Sequence, residues 1–79
     1  MKQAEKQAAA RAMLDNPLFH LVMDDLEAAA INGCINAPIT DDETRAAYAA
    51  EARAIRKFRS KLKFLAEDQA KADGKGAPA

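Results

Sequence analysis

Ile35-Asn36-Ala37-Pro38-Ile39-Thr40-Asp41-Asp42-Glu43 decides how this chain folds. Pro38 pushes Ala37 into extended backbone, so a helix arriving from the N-terminal side has to stop at about Asn36. Five residues later the chain presents a helix start. The Thr40 hydroxyl is placed to cap the third amide, Glu43 to reach back to the Thr40 N–H, and three acidic side chains sit on the positive end of the helix dipole. Two helices joined by so short a connection lie antiparallel, as an αα-hairpin.

Working back from the loop, the segment 17–36 is apolar at Leu18, Leu21, Val22, Leu26 and Ala29, with Ala28, Ile31 and Ile35 on a neighbouring stripe. That spacing is helical, and Phe19 and Met23 widen the apolar surface beyond what one partner helix covers. Asn16 is a good N-cap, and Pro17 fits the first helical position, where its missing N–H costs nothing. Residues 2–14 contain no Gly, Pro, Ser, Thr or Asn and form a further N-terminal helix, too short to stand alone in water.

Forward from the loop, nothing interrupts a helix over about 41–71. Its seam is Tyr48, Ile55, Phe58, Leu62 and Leu65, continued by Gln69, and it is expected to meet the second helix. Residues 74–79, Gly-Lys-Gly-Ala-Pro-Ala, carry no apolar pattern and read as a disordered tail. The expected architecture is all-α: one domain over 1–73, an antiparallel helical hairpin with an additional N-terminal helix. One Val and two Thr in 79 residues leave little to build strands from.

Composition limits stability. Twenty residues are alanine and 19 are larger apolar side chains, so the core is meagre. Chains below roughly 70–80 residues usually add a disulfide, a metal or a partner. A single Cys and a single His exclude an internal disulfide and a Cys/His zinc site, which leaves association with other chains. Twelve Lys and Arg balance 12 Asp and Glu, unlike a wholesale polyanion binder. No run is long and apolar enough for a membrane span or a signal peptide, so the chain is expected to stay in the cytoplasm of the cell that makes it.

Candidates for catalysis are few. His20 and Asp24 share one helix face, but two side chains do not make a metal site, and Cys34 reads as a small packing residue. No phosphate loop, Ser/His/Asp set or HExxH occurs, so neither an enzyme nor a cofactor is expected. The distinctive stretch is Arg53 to Phe64, with six basic residues and no acid. Its ordinary reading is a solvated face that suits the negative end of the helix dipole and offsets the acids of the second helix. Its sharper reading is a contact surface for an acidic protein patch or, as the alternative, for nucleic acid. On the sharper reading the partner-binding residues are Phe19, Met23, Arg56, Lys57, Lys61, Lys63 and Phe64. At about 100° per residue Phe64 falls with Lys57 and Lys61, away from the seam.

Leu14-Asp15-Asn16-Pro17-Leu18-Phe19, then Asp25-Leu26-Glu27, the loop Ala37-Pro38-Ile39-Thr40-Asp41 and Arg56-Lys57-Phe58-Arg59 together resemble small helical proteins encoded among the head and packaging genes of tailed bacteriophages. The resemblance covers about residues 13–70. It departs at Ala28 to Asn32 and at Glu43-Thr44-Arg45, where those proteins often carry an aromatic residue and a glycine. It implies a virion or head-assembly component without catalytic residues, one that binds copies of itself or a larger phage structural protein.

Overall fold

Three helices follow the breaks that the sequence prescribes. The computed structural model describes residues 1–67, with α1 over Gln3–Leu14, α2 over Pro17–Asn36 and α3 over Asp42–Ala66. Among these residues there is no strand. α3 contacts both other helices, whereas α1 barely touches α2. Asn16 caps α2 as expected, its side chain accepting from the Leu18 N–H with Pro17 at the first helical position. The expected tail, 74–79, lies outside the described residues.

α2 and α3 form the antiparallel hairpin. Asp24 lies level with Arg59, Glu27 with Arg56 and Gly33 with Tyr48. α1 packs against the far end of α3, placing Ala10 and Met13 beside Leu62 and Leu65. The Ala66 carbonyl, left without a helical partner at the end of α3, accepts from Arg11 Nε at 2.9 Å and Gln7 Nε2 at 3.4 Å.

α3 departs from the sequence reading at both ends. Its cap is Asp41 and not Thr40: the Asp41 carboxylate accepts from the Thr44 N–H at 3.1 Å and from the Thr44 hydroxyl at 2.7 Å. A charged acceptor is the stronger partner for a helix-terminal amide, and Thr44 returns a second bond that Glu43 would have had to supply to Thr40. Arg45 fixes the loop against this start by donating to the carbonyls of Pro38 and Ile39. At the other end the helix stops at Ala66, short of the expected 71, because Glu67 turns extended (ψ 155°) while its N–H bonds back to Phe64. The proposed continuation of the seam at Gln69 lies outside the described residues.

Among the described residues the buried side chains are few: Ala10, Ala30, Ala52 and Leu62, of which Leu62 alone is larger than alanine. Small residues bring the hairpin helices together near the loop, where the Tyr48 ring lies against Gly33 so closely that a Cβ there would meet ring carbons at 2.6–2.7 Å. This explains why Gly33 sits inside α2 instead of ending it, at a cost in helix propensity of about 1 kcal/mol against alanine. Phe58 corrects the expected seam, since it is 46% exposed, nearly as much as Phe64 at 48%. α1 covers α3 over Leu62 and Leu65 and leaves Phe58 at the edge.

Candidate interaction surface

α2 is apolar almost all the way round, and one neighbour cannot cover such a helix. α3 takes the side bearing Met23, Glu27, Ala30 and Cys34. Leu18, Val22 and Leu26, spaced four residues apart, remain 63%, 43% and 44% exposed. Leu26 continues across the hairpin into an open groove with Met23, Ala54, Ile55 and Phe58, with Glu51 at its margin. Thus one broad face of the hairpin, contributed by both long helices, is apolar and exposed. Leu21 and Ile35, also exposed, lie on the other side of α2.

The structure divides the residues expected to bind a partner. Phe19 and Met23 are half-buried in the hairpin: the Phe19 ring lies edge-on to His20 at 5.4 Å and 6.3 Å from Phe58. Arg56 is engaged within the chain, its Nε 3.2 Å from Glu27, as the solvated-face reading has it. Lys57 and Lys61 are exposed on the outer edge of α3, and the Lys61 ammonium stands 5.3 Å from the centre of the Phe64 ring, within cation–π range. Lys63 is exposed too, but is rotated about 120° around the helix from Lys57, so it does not join that group.

Arg59 organises the opposite edge. It pairs with Asp24 at 2.7 Å, approaches Glu27 at 3.9 Å and donates to His20 Nδ1 at 3.5 Å. With Nδ1 accepting, the hydrogen resides on Nε2, which donates to the Leu14 carbonyl at the end of α1. One imidazole thereby joins all three helices. Sequence reasoning did not identify this role for Arg59. The signal was present, because Asp24 and Glu27 on α2 and Arg56 and Arg59 on α3 are each three residues apart, which aligns them across an antiparallel pair.

In the loop, the two hydrogen bonds from Thr44, with the Arg45 guanidinium, hold the Asp41 carboxyl below its ordinary value despite its partial desolvation. Among the described residues no three His, Cys, Asp or Glu side chains cluster as a metal site would require, and no helix is long and apolar enough to cross a membrane. Comparison with known proteins returns no match to a family model, a curated protein or a solved structure.

Proposed function

We propose that this protein is a non-enzymatic helical interaction module that binds itself or a larger structural protein through the exposed apolar face of its hairpin. The head-assembly setting comes from the sequence resemblance. The observation that supports the reading is the contrast, among the described residues, between what is buried and what is not: three alanines and one leucine inside, against Leu18, Val22, Leu26 and Phe58 exposed together on one side. Contiguous apolar surface of this kind marks an interaction site on a small protein, and covering it supplies the burial that a thin core lacks. A nucleic-acid reading has less support, because two of the six basic residues in 53–64, Arg56 and Arg59, are already paired with Glu27 and Asp24.

The test replaces Leu18, Val22 and Leu26 together by Asp. Their exposure predicts a variant that keeps its helicity by circular dichroism. It should lose self-association in sedimentation and lose co-purification with phage head proteins. A triple variant that associates as the unaltered chain does in both assays refutes the reading.

A further inference from the structure

We propose that the cleft between α2 and α3 on the other side of the hairpin, towards its loop, is an anchor site for an acidic amphipathic segment of a partner protein. It seats one apolar side chain of that segment, and Arg53 and Arg56 at its rim take the neighbouring carboxylates. The site is separate from the exposed apolar face and does not depend on it.

The cleft follows from the small residues that join the helices. Ala30 and Ala52, both buried, form its floor, and their short side chains leave space beside the helix contact that larger ones would fill. Ile31 and Ile35 line it from α2, and Ile35 remains 73% exposed. The space is about 240 Å3 and open on one side. Sites for small molecules are larger, about 300–1,000 Å3, and enclose most of the ligand. A cleft of this size holds one aliphatic or aromatic side chain, so its occupant must draw further affinity from contacts outside. An anchor residue carried by a larger partner has that property and a free small molecule does not.

Charge selects the partner. Arg56 uses its Nε for Glu27 and is otherwise open to solvent, with its side chain 64% exposed. Arg53 is exposed and makes no ion pair or side-chain hydrogen bond among the described residues. No Asp or Glu is among the described residues that line the cleft. The groove on the opposite side is the contrary case, since the charged residue at its margin is Glu51. Guanidinium forks match carboxylates through paired hydrogen bonds. An apolar floor beneath two such forks calls for an apolar side chain with an acidic one about a turn away, which an acidic amphipathic segment presents.

The experiment selects an mRNA-displayed library of random short peptides on the full chain and reads the enriched sequences. They should share an apolar residue flanked by Asp or Glu. A synthetic peptide of that consensus should slow the reaction of the Cys34 thiol with a maleimide in proportion to occupancy, because Cys34 lines the cleft and is the single cysteine of the chain. Arg53→Glu, at an exposed position, should keep its helicity and bind the peptide about tenfold more weakly, with the loss shrinking as salt rises. Lys2→Glu, an equal change of net charge on α1, should leave binding unaltered. No enriched sequence, or a consensus without acidic residues, overturns the proposal. So does a bound peptide that leaves Cys34 as reactive as before, or an Arg53→Glu variant that binds as Lys2→Glu does. Protection of Cys34 by an oligodeoxythymidylate as strong as that by the peptide overturns it in favour of nucleic acid.

Discussion

The two ends of the hairpin are held by different means. Near the loop the contact is backbone proximity, with Ala30 and Ala52 buried and the Tyr48 ring laid flat on Gly33. At the far end, long side chains make the connection: Phe19 meets Phe58 at a tilt, and Arg59 reaches Asp24 and His20. Close approach of small residues makes the loop end sensitive to volume. The far end depends on charge and on the cover that α1 provides over Leu62.

Leu62→Ala should have the largest effect, because it removes from the contact of α1 with α3 the one large side chain that is buried among the described residues. Truncation of this type costs about 2–4 kcal/mol, to be measured by urea unfolding. Phe58→Ala, at a half-exposed position, should cost clearly less in the same assay. Equal losses would break the distinction between a packed contact at α1 and an open hairpin edge.

Gly33→Ala comes next and tests the loop end. Alanine regains about 1 kcal/mol of helix propensity, but its Cβ overlaps the Tyr48 ring, and overpacking costs about 1–3 kcal/mol. A net loss of about 1–2 kcal/mol is expected at the high end of that range. In a Tyr48→Ala background the same change should become stabilising. A double-mutant cycle without that change of sign would show that the ring does not define the approach of the helices.

Asp41→Ala should lower the melting temperature by about 5 °C, while Thr40→Ala should leave it nearly unchanged. The pH dependence has a definite sign. The folded-state value of Asp41 is depressed, so its contribution is complete above the ordinary carboxylate range and declines as pH falls through the lowered folded value. In acid titrations followed by circular dichroism, Asp41→Asn should flatten that part of the stability curve. The smallest effect belongs to Arg56→Ala, about 0.2–1 kcal/mol and diminishing with salt, since its pair with Glu27 is open to solvent.

The helices were legible because their punctuation is local. Asn16-Pro17 and Ala37-Pro38 mark boundaries whatever the rest of the chain does. The start of α3 was ambiguous by one residue because two capping patterns overlap, Thr40 with Glu43 and Asp41 with Thr44, and Arg45 closing on the Pro38 and Ile39 carbonyls favours the second. Helical phase placed Phe58 on the seam but could not give the position of α1, which decides how much of that seam is covered. The same limit applies to the interaction surface. Spacing identified α2 as too apolar for one partner, yet it nominated Phe19 and Met23 as the surplus, which the hairpin half buries, and left Leu18, Val22 and Leu26 on the main stripe and off the partner-binding set, although they are the residues that stay exposed.

The bonds from Gln7 and Arg11 to the Ala66 carbonyl span 59 and 55 positions along the chain, whereas the contacts of the hairpin close over much shorter loops. Local pairings form before distant ones because less chain entropy opposes them, so α2 and α3 assemble first and α1 docks last. By the same reasoning α1 is the first element to leave. In native-state hydrogen exchange its amides should report a partial opening of lower free energy than those at the centre of α3, and added denaturant should affect that opening less, because undocking one short, alanine-rich helix uncovers little surface.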